Sequence, residues 1–93
     1  MDIIWDKAKN IWLQANRGIS FEEIADRIMD NSYLEILENP SRDNQMVFLL
    51  NIHGYTWVVP FLMDDKDRIV LKTAFPSRKF HGRYGGKHED SNQ

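Results

Sequence analysis

The sequence predicts an α+β domain in which two N-terminal helices pack on one face of a three- to four-stranded antiparallel sheet and a short C-terminal helix closes the chain. Three observations predict it. Apolar residues recur with a helical period up to about position 30, strand-like runs separated by turn residues follow, and Ser77 with Gly85-Gly86 brackets one last helical stretch. At 93 residues, 42% hydrophobic and 28% charged, the chain has apolar material for one core and too little length for two. We expect a single domain over 1–86 and a flexible polar tail over 87–93.

Ile3-Ile4-Trp5 reads as a small edge strand ahead of Asp6, whose carboxylate can cap a helix. That helix runs to about Arg17, with Ala8, Ile11, Trp12 and Ala15 at i, i+3, i+4 and i+7 as its expected buried stripe. Gly18 supplies a left-handed residue to end it, and Ser20 with Glu23 makes a capping box for the next. In the second helix Phe21, Ile24, Ala25, Ile28 and Met29 form the apolar face, opposite Glu22, Glu23, Asp26, Arg27 and Asp30. Tyr33 to Glu38 begins the strands, and Asn39 to Asn44 is a polar loop. Gln45 to Ile52 and Tyr55 to Met63 flank His53-Gly54 as a hairpin, with Gly54 at positive φ. Asp64 to Asp67 turns the chain into one further strand, where Ile69, Leu71, Thr73 and Phe75 alternate with Val70, Lys72 and Ala74. Pro60 has no amide to give a ladder, so it belongs at an edge, a bulge or a bend. Ser77 caps a helix from about Arg78 to Tyr84. Trp5, Trp12 and Trp57 all lie in apolar patterns and are expected in the core.

Composition excludes several classes of function. Without cysteine there is no disulfide framework, thiolate zinc site or cysteine nucleophile, and a reducing, cytoplasmic setting is expected. No apolar run approaches the ~18 residues of a membrane span, and no signal-peptide pattern opens the sequence. His53, His81 and His88 lack the close spacing of a ligand set, and Gly85-Gly86 follows a helix instead of opening one, so neither a metal nor a cofactor is expected. The net charge of −2 conceals a division along the chain: residues 1–65 sum to −6, residues 66–88 to +6 and residues 89–93 to −2. The basic stretch comprises Lys66, Arg68, Lys72, Arg78, Lys79, Arg83 and Lys87 against Asp67. Such a segment on an acidic body is the charge pattern of a local phosphate-binding surface. It is equally the pattern of a solvated strand and helix.

Ile4-Trp5-Asp6-Lys7-Ala8-Lys9-Asn10 followed by Gly18-Ile19-Ser20-Phe21-Glu22-Glu23 resembles the opening of the BrnT toxins. Arg68-Ile69-Val70-Leu71, then Ser77-Arg78-Lys79 and Arg83-Tyr84, is similar to the closing strand and basic segment of that family. The resemblance spans about residues 3–84 and rests on the order and spacing of these short motifs. It implies a RelE-like fold and the toxin of a type II toxin–antitoxin pair, a ribonuclease that attacks RNA, stops translation and is neutralised by a cognate antitoxin. A homodimer or a higher toxin–antitoxin assembly is open under that reading.

Metal-independent RNA cleavage needs a group to take the 2′-hydroxyl proton, positive charge on the phosphate, and a donor for the leaving 5′-oxygen. The candidate catalytic residues are His81, Arg78 and Tyr84. The imidazole can give or take a proton near neutrality, and cations around it suit a base. Arg78 would hold the phosphate in two-pronged fashion, and Tyr84 could donate a proton or stack on a base. Lys72, Lys79 and Arg83 are the candidate RNA-binding residues. In a helix begun by Ser77, Arg78 and His81 share one face, and Lys79 and Arg83 the adjoining one. Plainer roles stand beside these: Ser77 as an N-cap, Phe80 and Tyr84 packing the last helix on the sheet, His81 as a solvated helix residue, Lys72 as a strand-face ammonium and His53 as a turn residue. The alternative function is a non-catalytic module on the same scaffold that binds RNA or a protein through its basic end. No membrane partner is expected.

Overall fold

Both N-terminal helices begin where a side chain accepts the free amides of a first turn. Asp6 accepts from the Lys9 N–H at 2.8 Å and opens α1 (Lys7–Arg17), which Gly18 ends at φ 68°. Ser20 and Glu23 complete the reciprocal capping box that opens α2 (Phe21–Met29). The computed structural model describes residues 2–38 and 45–85, so the expected loop over Asn39–Asn44 and the expected tail lie outside the described residues.

Strands β1 (Ile3–Trp5), β2 (Glu35–Glu38), β3 (Met46–Ile52), β4 (Tyr55–Met63) and β5 (Ile69–Leu71) form one sheet in the order β1-β5-β4-β3-β2, and β6 (Phe75–Pro76) also pairs with β4. The sheet is larger than the expected three or four antiparallel strands, and it is mixed. β1 runs parallel to β5, with Ile3 opposite Ile69, a pairing between distant segments that local patterns do not encode. The β3–β4 hairpin turns through His53 at φ 54° and Gly54 at φ 80°, the two left-handed positions of a type I′ turn.

The single strand expected from Ile69 to Phe75 is broken. Phe61 pairs with Leu71 but Val58 pairs with Phe75, so Lys72-Thr73-Ala74 stand opposite only Val59-Pro60. The extra residue is a β-bulge. Pro60 sits at the break: its carbonyl accepts the Lys72 N–H at 2.9 Å, and its ring nitrogen, on the same side of the strand, faces the interruption.

One face of the sheet is covered by α1 and α2, whose Leu13, Phe21, Ile24 and Ile28 pack with Phe48, Leu50, Trp57, Val59 and Phe61. The opposite face carries a smaller cluster of Val47, Leu49 and Val58. The stripe expected to be buried on α1 points outward instead: Ile11 is 60% and Trp12 40% exposed, with Ala8 and Ala15 also exposed. Its inward residues are Asn10 and Leu13. Asn10 donates from Nδ2 to Glu22 Oε1 at 2.7 Å and accepts the Phe21 N–H on Oδ1 at 2.7 Å, satisfying a first-turn amide of α2. A polar residue is thus drawn into the helix interface, and the apolar stripe turns away. The Trp12 ring lies under the Lys9 ammonium at 4.2 Å and the Arg17 guanidinium at 4.8 Å. Trp57 is in the core and Trp5 packs against it, as expected, while Met29 is exposed at the end of α2.

Candidate functional site

The end of β4 nearest the hairpin fixes the C-terminal segment. The Ser77 N–H donates to the Thr56 carbonyl at 3.0 Å, and Ser77 Oγ accepts the Phe80 N–H at 3.2 Å, starting α3 (Arg78–Phe80). The expected helix to Tyr84 is then only partly α-helical: it widens into a π-helical turn over His81–Gly85. Phe80 and Tyr84 anchor it, packing on the Val47, Leu49 and Val58 cluster. The segment therefore lies on the sheet face opposite α1 and α2.

His81 is the most constrained polar side chain here. The His81 backbone N–H donates to the Ser77 carbonyl at 2.9 Å, its ring Nδ1 lies 3.2 Å from the hydroxyl of Thr56, and its ring stacks on Tyr55 at 4.1 Å and 20°. Thr56 is fully buried and His81 half-buried. Tyr55 opens β4, so its ring spans the end of the sheet, touching both the main core and the imidazole.

Arg78, Lys79 and Arg83 are exposed on the same segment. Lys79 Nζ and the Arg83 guanidinium carbon stand 5.6 and 5.8 Å from the centre of the Phe80 ring, which joins them as the sequence spacing predicts. The ion pairs among the described residues are Arg68 with Asp64 at 2.7 Å and His53 with Glu23 at 3.4 Å, and neither involves these three cations. Not all the basic stretch joins them. Arg68 binds Asp64 in the β4–β5 turn, and Lys66 is in the same turn, about 25 Å along β4 from Thr56. Backbone hydrogen bonds from Arg68 N–H, then the Arg68 guanidinium and the Lys66 N–H, hold the Asp64 carboxyl below the ordinary aspartate range despite some desolvation. Lys72 is exposed at the bulge, about 13 Å along the strand from Thr56, and Lys87 lies outside the described residues.

Tyr84 is half-buried on the second core cluster with its ring tilted against Phe80, which is the packing arrangement. Ser77 is an N-cap and His53 a turn residue. Sequence reasoning missed Tyr55 and Thr56. Their only signal was position, at the start of a strand beside a turn, and strand register alone brings them to His81.

A mixed sheet with two helices on one face and a short basic helix on the other, preceded by a bulged strand, defines a small α+β fold. Among solved structures, the ribonuclease toxin BrnT of Brucella abortus is similar, with a TM-score of 0.64 over 83% of this chain and 96% of that one, at 18% sequence identity. The chain has the BrnT fold. No protein-family model and no curated protein matches it. No helix among the described residues is long and apolar enough to cross a membrane.

Proposed function

We propose that this chain is a BrnT-like toxin, an endoribonuclease that needs no metal, blocks translation by cutting RNA in the cytoplasm, and is restrained by an antitoxin that covers its basic face. The observation that carries this reading is the group of exposed cations Arg78, Lys79 and Arg83, without an ion pair among the described residues, on the same short segment as the held imidazole of His81 and on a fold shared with a ribonuclease toxin. Arg78 and His81 act on the scissile phosphate, Lys79 and Arg83 hold the neighbouring backbone, and Lys72 extends the track. Tyr84 supports them by fixing the helix on the sheet. Attack of a 2′-oxygen on the adjacent phosphorus forms a cyclic phosphate and breaks the bond to the 5′-oxygen, with protons exchanged with solvent. The group's chemical contribution is electrostatic: preplaced donors stabilise the charge that grows on the phosphoryl oxygens.

One observation favours a second reading. Tyr84 packs on the second core cluster, so a module that binds RNA through its exposed cations without cutting fits the same surface. Purified protein incubated with RNA in excess EDTA separates the two. The toxin reading expects cleavage with cyclic-phosphate ends and a loss of about 10²-fold in rate for Arg78→Ala. Well-folded protein that binds RNA in a salt-sensitive manner and leaves it intact would overturn it in favour of the binding module.

A further inference from the structure

Thr56 lies on β4, twenty-five positions from His81, and touches the C-terminal segment twice. Its carbonyl accepts from the Ser77 backbone N–H, the Ser77 carbonyl accepts from the His81 backbone N–H, and the His81 ring returns to the Thr56 hydroxyl. The three bonds make a closed circuit that fixes the imidazole relative to the sheet. A β-branched side chain in a strand is stiff about χ1, so the hydroxyl has little freedom to turn elsewhere.

Thr56 is fully buried, and His81 Nδ1 is the one partner of its hydroxyl among the described residues. A buried hydroxyl proton has to be donated. If Nδ1 carried the ring proton it would donate to Oγ1, and the hydroxyl proton would be stranded in the interior. If the hydroxyl donates, both groups are satisfied.

We propose that Thr56 is the positioning residue of this site: it donates its hydroxyl proton to Nδ1, which places the proton of the neutral imidazole on Nε2. With Nδ1 occupied and one ring face covered by Tyr55, Nε2–H is the edge His81 offers to a ligand. His81 then acts as a hydrogen-bond donor to a phosphoryl oxygen and transfers no proton. This reverses the sense expected from the sequence, where surrounding cations suited a base. The identity of the ligand rests on the nuclease reading; the position of the ring proton does not.

Two measurements test it. In a long-range proton–nitrogen spectrum of labelled protein at alkaline pH, His81 should show a protonated Nε2 and a bare Nδ1. Thr56→Val should move both nitrogens toward the averaged shifts of histidine in a short peptide, and Thr56→Ser should restore them. A protonated Nδ1 in the native protein, or a spectrum indifferent to Thr56→Val, overturns the proposal. In the RNA assay His81→Gln, which keeps an N–H near the place of Nε2, should stay within about tenfold of the native rate while His81→Ala loses about 10²-fold. Equal loss in both refutes the donor role. A native protein that cuts no RNA refutes the nuclease reading alone, since the spectrum still reports the tautomer.

Discussion

Exchanging the expected and observed faces of α1 gives opposite forecasts for two adjacent residues. Leu13 is fully buried among the helices and the sheet, and truncation to alanine removes its packing and leaves a cavity, worth about 2–5 kcal/mol. Trp12 is 40% exposed and holds Lys9 and Arg17 over its ring. Trp12→Ala loses two cation–π contacts at about 0.5–1 kcal/mol each and regains part of this through the better helix propensity of alanine, for a net cost of about 1 kcal/mol. In a domain of this size about 1 kcal/mol moves the melting temperature by about 4–8 °C, so Leu13→Ala should melt at least ~8 °C below the native protein and Trp12→Ala within that margin. Far-ultraviolet circular dichroism during thermal and urea unfolding reads both without depending on tryptophan emission. A larger loss for Trp12→Ala than for Leu13→Ala would show that the apolar stripe faces the core and refute the orientation of α1.

Asn10→Ala should cost about 1–3 kcal/mol in urea unfolding, because the Phe21 N–H is left unsatisfied in the helix interface. Ser77→Ala should cost about 1 kcal/mol and speed amide exchange at Phe80, whose N–H loses its acceptor. The Asp64 carboxyl titrates lower in the folded chain than in the unfolded one. Its stabilising effect is complete above the ordinary aspartate value and disappears as pH falls through the depressed one, so Asp64→Asn should flatten the acid limb of a melting-temperature profile and leave its neutral shape unchanged.

The capping residues were legible because their chemistry is local. Asp6, Ser20 with Glu23, and Ser77 each satisfy an amide three residues ahead, and Gly18 needs no distant partner to adopt its positive φ. The face of α1 was not legible, since four apolar residues at helical spacing outweigh one asparagine until the amide of Phe21 arrives beside it. Nor was the bulge after Leu71: alternation runs on through Thr73 and Phe75, and only the register against β4 reveals the extra residue. At the site, sequence spacing correctly joined Lys79 to Arg83, but the partners of His81 come from another strand. Arg68 was counted with the basic surface because its binding to Asp64 depends on the fold of a turn.

The parallel pairing of β1 with β5 also sets an order of events in synthesis. Ile3-Ile4-Trp5 leaves the ribosome well before its hydrogen-bonded neighbour, Ile69-Val70-Leu71. Until that late segment emerges, the strand has no ladder to join, and closing so long a loop is the slow kind of step in folding. The cation-bearing segment follows that partner in the sequence, so its docking on β4 also comes after the strands it packs on have left the ribosome.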